Sequence, residues 1–468
     1  MDRATEGLPY EASGGWELLL PFESRRGQLR GSLRESLRSA IQEGRLAAGT
    51  VLPASRRLAV DLGVSRGVVS DAYDQLISEG YLAVRPRSAP VVTAVTAAAP
   101  GPLAEQAAVR SWRFDLTATT PDVALFPRRE WLRAVSRAMA DAPDDALDYG
   151  DHRGRIELRT ALSGYLARVR GVRADPGRIV ITQGFTQALD LLCHVLADRG
   201  GQSVAVESPS HPGLWPTVRQ AGLELAGCPV DASGLVVSAL AADAVVVAPA
   251  HQYPTGVVMA PSRRTALVEW AARTGGLIIE DDYDAEFRYD RTPVGAIQGL
   301  DPHRVAHAGS ASKTFAPGMR LGWISAPASL VADLAARKSA ADSGSPPLDQ
   351  LALAGLLSTG DYEKHVVRVR HVYRRRRDLL LQAVHECFPR LAVSGAAAGM
   401  QVLLRLPDGT DDRGLAEAAA SRSVRVTALS PCQLVPSAER GLLLGFGRLP
   451  EHKAGPAVRA LRDAIAAG

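Results

Sequence analysis

The sequence predicts two folds in series: an α+β helix-turn-helix unit near the N-terminus, and a larger α/β domain built on a mostly parallel sheet. Two helical segments separated by a glycine turn, between residues 55 and 79, indicate the first fold. Apolar strand segments that alternate with crossovers, between residues 179 and 308, indicate the second. With 468 residues the chain is too long for a single hydrophobic core, so separate domains are expected.

An apolar stripe predicts the first helix of the N-terminal unit over about residues 28–43. The stripe consists of residues four positions apart, namely Leu29, Leu33, Leu37 and Ile41. Ser55 can then cap a short helix, and Ser65 can cap a longer one that runs to residue 79. A Gly-Val turn separates the two helices, and together they form a helix-turn-helix.

Positive charge is concentrated in this unit. Residues 25–87 contain eleven arginines against six acidic residues, whereas the whole chain has a formal net charge of only +4. Apolar segments at 81–82 and 91–92 predict a two-stranded wing, with Arg85 and Arg87 in the loop between the strands. A local basic surface of this kind favours a nucleic-acid partner, although the global charge does not.

The segments 44–59, 62–66 and 75–82 resemble the winged helix of GntR-family regulators. The resemblance implies that the partner is a double-stranded DNA operator. The implied DNA contacts are Arg56, Ser65, Arg66, Gly67 and Val68, together with Arg85 and Arg87 of the wing. The wing tip lacks the glycines usual in that family, and a protein-interaction module is the alternative for this unit.

Residues 94–112 are rich in alanine, proline and threonine and predict a linker. The linker separates the winged unit, residues 20–93, from the α/β domain, residues 113–468. The C-terminal part of that domain, about 391–468, is expected to form a smaller αβ subdomain. The main strands are expected at 179–182, 204–206, 245–248, 277–280 and 305–308.

Composition excludes several other classes of protein. The cysteines at 193, 228, 387 and 432 lack the spacing of a metal site or a disulfide framework. No apolar run reaches the roughly 18 residues of a membrane span, and the N-terminus lacks the pattern of a signal peptide. A cytoplasmic chain without a membrane partner is therefore expected.

Two segments carry candidate chemistry. Lys313, one of only four lysines, lies in a loop of small residues with Ser310, Ser312 and Arg320, which are suited to bind a phosphate. A lysine can form a Schiff base with an aldehyde because its pKa can be lowered, and arginine cannot replace it. The apolar strand at 277–280 ends in Asp281, and a strand end is where α/β sheets present ligand-binding groups.

With these segments, the chain resembles fold-type I enzymes dependent on pyridoxal 5'-phosphate (PLP), of aminotransferase class I/II. Within the resemblance, Lys313 would form the Schiff base and Asp281 would pair with the pyridine nitrogen, with Asp282 as the competing choice. Tyr283 would bond the phenolic oxygen. Four further segments match in order, namely Tyr149–Gly154, Thr182–Gln187, Glu207–Gly213 and Pro249–Gly256.

The same resemblance implies the remaining cofactor contacts. One side of the phosphate site would consist of Gly184, Phe185 and Thr186, at a helix N-terminus of the kind that binds anions. The other side would be Ser310, Ser312 and Arg320. Tyr149 would reach the phosphate bound by the partner subunit. His211 would stack on the cofactor ring where the family has tyrosine, and Tyr253 takes the place of an asparagine.

One departure concerns the substrate. Leu443 occupies the place of the arginine that binds the substrate carboxylate in aminotransferases, so α-amino acid binding is expected to be weak. Arg440 or Arg448 could take over that role, and His251 or Gln252 could replace the missing asparagine.

A winged helix followed by an aminotransferase-like domain resembles the MocR subfamily of GntR regulators. The resemblance implies a head-to-tail homodimer that binds DNA and senses PLP or an amino compound such as 4-aminobutyrate or taurine. The alternative is an active aminotransferase that carries a DNA-binding domain. The sequence leaves open the operator, the effector, and the choice between activation and repression.

Overall fold

The computed structural model describes residues 29–84, 88–93, 111–290 and 294–466. Contacts divide the chain into two compact units, with the division between residues 109 and 110. That division falls within the segment predicted as a linker, most of which lies outside the described residues.

The first unit contains the predicted helices and wing. Its elements are α1 (Leu29–Gln42), α2 (Ser55–Asp61), α3 (Arg66–Ser78), β1 (Leu82–Ala83) and β2 (Val91–Val92). The predicted cap at Ser55 is wrong, because Ser55 is the first helical residue and Ala54 precedes it; Ser65 does precede its helix, but its side chain makes no capping hydrogen bond. The apolar stripe of α1 is buried where Leu33 and Leu37 pack with residues of α2 and α3. Gly63 takes a φ of +63° in the turn between α2 and α3, a conformation that glycine adopts without strain. The strands β1 and β2 pair antiparallel, which confirms the wing.

The second unit is organised around an eight-stranded sheet. Its first strands in the chain are β4 (Ile179–Thr182), β5 (Ser203–Ser208), β6 (Glu224–Asp231), β7 (Gly234–Leu235) and β8 (Ala244–Val247). The others are β9 (Leu277–Asp282), β10 (Val305–Ser310) and β11 (Gly322–Ser325). The spatial order is β4-β11-β10-β9-β8-β5-β6-β7. The run from β10 to β6 is parallel, whereas β11 is antiparallel to both of its neighbours.

Helices cover the sheet and fill the rest of this unit. They are α4 (Arg128–Asp141), α5 (Ile156–Arg170), α6 (Phe185–Asp198), α7 (Trp215–Gln220), α8 (Pro261–Thr274), α9 (Val331–Asp342), α10 (Pro347–Thr359), α11 (Asp361–Cys387), α12 (Asp412–Ser421) and α13 (Ala454–Ile465). None of the helices in the described part of the chain is both long and apolar enough to cross a membrane.

A second, antiparallel sheet forms the smaller layer, in the order β12-β13-β16-β15. Its strands are β12 (Val393–Ser394), β13 (Gln401–Leu406), β15 (Thr427–Ala428) and β16 (Arg440–Gly445). The layer reaches beyond residues 391–468, because the strand β3 (Phe114–Asp115) pairs with β14 (Val424–Arg425). Phe114 and Tyr373 of α11 also belong to its core.

Candidate ligand site and DNA-binding surface

A cavity of about 250 Å³ opens at the carboxyl-terminal edge of the large sheet, where α/β folds bind ligands. The segments that follow β4, β5, β8, β9 and β10 form its walls. The predicted residues that line it are Phe185, Thr186, His211, Tyr253, Asp281, Tyr283, Ser310, Ser312, Lys313 and Arg320. Residues far apart in the sequence are thus brought to one site.

Lys313 is the amine of this cavity. Its Nζ donates a hydrogen bond to the carbonyl oxygen of Thr119 at 2.7 Å. Burial lowers the pKa of Lys313, while the nearby carboxylates of Asp284 and Asp281 oppose that shift. A lowered pKa increases the fraction of uncharged amine, the form that reacts with an aldehyde.

The strand β9 directs its last two carboxylates to opposite faces. Asp281 lines the cavity, and its buried Oδ1 has no hydrogen-bond partner among the described residues. Burial, reinforced by Asp282 and Asp284, raises the pKa of Asp281 well above its usual range. Asp281 is therefore a half-buried acid that faces the ligand space with a buried Oδ1 that has no partner among the described residues.

Asp282 is bound within the protein on the other face of the sheet. Its carboxylate accepts hydrogen bonds from Arg170 at 2.7 and 2.9 Å, and it lies 2.9 Å from Nε2 of His307. Although burial alone would raise the pKa of Asp282, Arg170 and His307 hold it well below the usual range. Alternation along the strand thus leaves Asp281 as the one of these two neighbours that faces the cavity.

Tyr283 lines the cavity, and its hydroxyl is oriented by residues outside the lining. Its hydroxyl lies 3.1 Å from Nδ1 of His251, which lies 2.9 Å from Oδ2 of Asp284. His251 is thus connected to Tyr283 but does not itself line the cavity. The Gln252 side chain bonds the carbonyl of Pro209, the carbonyl of Tyr253 and the hydroxyl of Thr255, and it does not line the cavity either.

The end of the cavity at Arg320 and the start of α6 contains groups that bind anions. Gly184 precedes α6 with a φ of +88°, and Phe185 and Thr186 form the first turn of that helix. A Cβ at Gly184 would lie only 3.1 Å from the Arg320 guanidinium, so glycine is required for the close approach. Arg320 donates to the carbonyl of Gln183. Helix amides, the Arg320 guanidinium and the hydroxyl groups of the Ser310 loop together suit a phosphate.

His211 and Tyr253 lie together on another wall. Their ring centroids are 5.3 Å apart, with the planes tilted by 43°. Nδ1 of His211 accepts a hydrogen bond from the amide of Gly213 at 3.0 Å, which holds the imidazole in place. Both residues line the same cavity as Lys313.

The predicted DNA contacts of the first unit are only partly at its surface. Arg56, in the first turn of α2, and Ser65, Arg66 and Gly67, at the start of α3, are exposed. Val68 does not face outward as expected: it is only 8% exposed and packs in the core of the unit. The next helical position, Val69, is fully buried, and the helical turn directs both valines inward. The wing residues Arg85 and Arg87 lie outside the described residues.

Comparison with known proteins agrees with both units. Residues 115–443 match the aminotransferase class I and II family, and residues 29–92 match the bacterial regulatory proteins of the gntR family. The chain is 32% identical to the pyridoxine biosynthesis transcriptional regulator PdxR of Corynebacterium glutamicum, over 92% of this chain and 94% of that protein. It is 31% identical to the probable rhizopine catabolism regulatory protein MocR of Rhizobium meliloti, over 91% and 92%.

The chain belongs to the MocR-type regulators of the GntR family. Its second unit has the fold of aminotransferases. An archaeal alanine:glyoxylate aminotransferase superposes with a TM-score of 0.71 and 29% identity, over 77% of this chain and 92% of that structure. This MocR-type protein is thus a transcriptional regulator with an aminotransferase-like domain.

In this MocR-type regulator, the predicted replacement of the carboxylate-binding arginine lies in an apolar cluster. Leu443 is fully buried and packs with Leu403, Leu429 and Cys432, and Tyr253 packs against the same cluster. Arg440 donates instead to the carbonyls of Ser437 and Glu439 at 2.6 and 2.8 Å.

Arg448 is also bound within the protein, because its Nε donates to the carbonyl of Pro121 at 3.3 Å. Neither Arg440 nor Arg448 lines the cavity of this regulator. The expected substitutes for the missing arginine are therefore bound elsewhere.

Several residues that line the cavity were not among the predicted contacts, and Glu207 and Thr119 are two of them. Glu207 lines it from the end of β5, and its Oε2 accepts a hydrogen bond from the amide of Ala248 at 3.1 Å. Burial raises the pKa of Glu207 to about 8. Thr119 bonds Lys313 through its backbone carbonyl, and a pattern of side chains in the sequence cannot predict such a contact. Glu207 lies in the matched segment Glu207–Gly213, so the sequence did contain a signal for it.

Tyr149 does not line the cavity of its own chain, and it is 79% exposed. An exposed tyrosine is compatible with a role in a partner subunit, and that role stays a prediction.

Proposed function

We propose that this regulator binds PLP in the cavity of its second unit and uses it to sense an amino compound, or PLP itself. Lys313 holds the aldehyde end through its amine. The phosphate is bound by the start of α6 after Gly184, by Arg320, and by the serines 310 and 312. Tyr283 bonds the phenolic oxygen, and His211 and Tyr253 flank the ring.

The observation that carries the proposal is the unpartnered carboxylate of Asp281. A buried carboxylate without a partner is unfavourable, so its persistence in a cavity indicates that a ligand supplies the missing donor. A protonated pyridine nitrogen is such a donor. When bound, PLP supplies an aldehyde that combines with amines and a ring that withdraws electrons.

Different residues would hold the phosphate end and the aldehyde end of the cofactor. Arg320 is fixed by the carbonyl of Gln183, so the positive charge at the phosphate end is in place before a ligand arrives. Lys313 is held by the carbonyl of Thr119 and has to leave that bond to react. The contact between Tyr283 and His251 orients the tyrosine hydroxyl. The site is thus largely preorganised.

The regulatory step is proposed to act between two copies of the chain. A head-to-tail homodimer would place the exposed Tyr149 at the partner's phosphate site. Effector binding controls transcription only if it favours one of two arrangements of the paired DNA-binding units. The proposed DNA contacts are the exposed residues Arg56 in α2 and Ser65, Arg66 and Gly67 at the start of α3.

The cofactor proposal is tested by visible absorption of the PLP-loaded protein, followed by borohydride reduction and peptide mapping. We expect one modified lysine, at Lys313. The variant Lys313→Ala should lose the lysine-bound absorption. The variant Lys364→Ala is the matched control because Lys364 is exposed and bonds only Asp361, which is also at the surface. Label on another lysine, or unchanged absorption in Lys313→Ala, would refute the assignment.

The DNA proposal is tested by fluorescence anisotropy with DNA from the region upstream of the gene, at a stated salt concentration. Arg66→Ala should weaken binding by about 1–3 kcal/mol if the residue meets a base edge. Arg219→Ala removes the same charge from an exposed position in the second unit and should have no effect. Equal losses in both variants would show that only net charge matters.

A working aminotransferase is the alternative, because Lys313, Asp281 and Tyr283 all line the cavity. Repeated release of keto acid from amino acids, with conversion of the bound cofactor to its amine form, would establish that alternative. The apolar surroundings of Leu443 favour a sensor without efficient turnover.

A further inference from the structure

Each cationic residue that lines the cavity already has a role in the proposed binding of PLP. Among the described lining residues, the permanently cationic group is Arg320, which belongs to the phosphate end, while Lys313 is the reactive amine. The acidic lining residues are Asp281 and Glu207. If PLP occupies the site, Arg320 is engaged by its phosphate, and Lys313 is bound to the cofactor until a ligand amine displaces it as an uncharged amine. Among the described lining residues, no further arginine or lysine of this chain is left to pair with a ligand carboxylate.

The wall beside Tyr253 is apolar through its full depth. The ring of Tyr253 borders the cavity and packs against a cluster formed by Ala118, Leu403, Leu429 and Leu443, together with Cys432. Each member of that cluster is at most 7% exposed. The residues of this cluster, which pack against the ring, therefore carry no charge that could stabilise an anion.

The nearest arginines by sequence cannot supply the charge in this arrangement. Arg440 donates to two backbone carbonyls and Arg448 to a third, and neither is among the lining residues. A ligand carboxylate placed against Tyr253 would therefore contact an apolar wall without a cationic partner among the described lining residues.

From this distribution of charge we propose that the ligand recognised with PLP is a primary amine without a carboxylate on its amino-bearing carbon. The ligand amine forms a C=N bond to the aldehyde carbon of the cofactor as the bond from that carbon to Nζ of Lys313 breaks. The proton that the ligand amine loses passes to Nζ, so Lys313 leaves as an uncharged amine. The uncharged substituent of the ligand packs on the ring of Tyr253 and the apolar residues behind it. The inference rests on the proposed PLP site and adds the class of ligand to it.

The test compares amines with the amino acids from which they differ by one carboxylate. PLP-loaded full-length protein is titrated with 3-methylbutylamine and L-leucine, and with 2-phenylethylamine and L-phenylalanine. The absorption change of the lysine-bound cofactor gives half-saturation. Each value is expressed as uncharged amine and divided by the value for free PLP, which removes intrinsic differences in reactivity.

We expect each amine to bind about tenfold or more tightly than its amino acid, as is typical when a charged group is buried without a partner. Equal binding, tighter binding of the amino acid, or no response to either amine would overturn the inference. If the wild-type protein shows no lysine-bound PLP, the proposed cofactor site itself has failed. If PLP is bound and the order of ligands is reversed, only the ligand class is wrong.

A variant pair tests the cause. Tyr253→Asn combined with Leu443→Arg removes the ring and places a cation in the space behind it, so binding of the amino acid should improve about tenfold. Leu443→Met changes the same position without charge and should leave the order of ligands unchanged. An unchanged order in a double variant that still binds PLP would overturn the proposed cause. If the double variant fails to bind PLP, the comparison in the wild-type protein decides.

Discussion

Replacing Asp281 by asparagine is expected to stabilise the PLP-free protein, although it damages the proposed cofactor site. The carboxylate is buried, its Oδ1 has no partner among the described residues, and burial raises its pKa well above the usual range. Asparagine keeps the shape of the side chain but cannot ionise. The substitution therefore removes the cost of placing a negative charge beside Asp282 and Asp284.

The effect of the substitution depends on pH. An unfolded aspartate has a pKa of about 3.9, and the pKa of Asp281 in the folded protein is higher. The contribution of Asp281 to stability is therefore fully present below about pH 3.9. It is lost progressively as the pH rises through the folded pKa. The advantage of Asp281→Asn should grow by up to about 1.4 kcal/mol per pH unit across that interval, and it should vanish near pH 4.

The assay is urea unfolding of the PLP-free wild type and variant at several pH values, with and without added PLP. PLP should stabilise the wild type more than the variant, because only the carboxylate pairs with the pyridine nitrogen. Equal stability of the two proteins at every pH, or equal stabilisation by PLP, would refute the reasoning.

The adjacent residue supplies the opposite control. Asp282 is paired with Arg170 and His307, so Asp282→Asn should lower the free energy of unfolding by about 3–5 kcal/mol at neutral pH. Because its folded pKa is depressed, that contribution is present above about pH 3.9 and is lost as the pH falls toward the folded pKa. A stabilising effect of this substitution would contradict the assignment of the two faces.

Two other predictions concern packing. Gly184→Ala should weaken PLP binding several-fold in an absorption titration, because the added Cβ would press on Arg320 and the backbone has a positive φ. The control Gly164→Ala adds a Cβ at an ordinary contact distance and should not change binding. Equal affinities of the two variants would contradict the proposed phosphate site. Leu37→Ala should cost about 2–5 kcal/mol in the first unit and abolish DNA binding while PLP absorption persists. The control Val60→Ala, at an 80% exposed position, should preserve both DNA binding and PLP absorption. If Leu37→Ala lost both, the expectation that the second unit keeps its fold when the first is destabilised would be wrong.

Much of the fold could be predicted because its signals are local. The segment Leu277–Ile279 is a continuous apolar run, and the structure forms β9 there. The glycine turn and the two helices at 55–79 are likewise encoded in contiguous residues. The strand β11 was not predicted. Its four residues follow the lysine loop, and their insertion antiparallel between β4 and β10 depends on the close approach of Gly322 to Gly184.

The sequence by itself determined which residues could do the chemistry: a rare lysine among small residues, an acidic strand end, a glycine before a helix, and a basic helix-turn-helix. Tertiary structure alone decided which of them face a ligand. It directs Asp281 inward and Asp282 toward Arg170, buries Val68, and places Leu443 behind Tyr253. The physical reason is that residue type and spacing are properties of neighbours in the chain, whereas burial, partners and pKa depend on residues that only folding brings together.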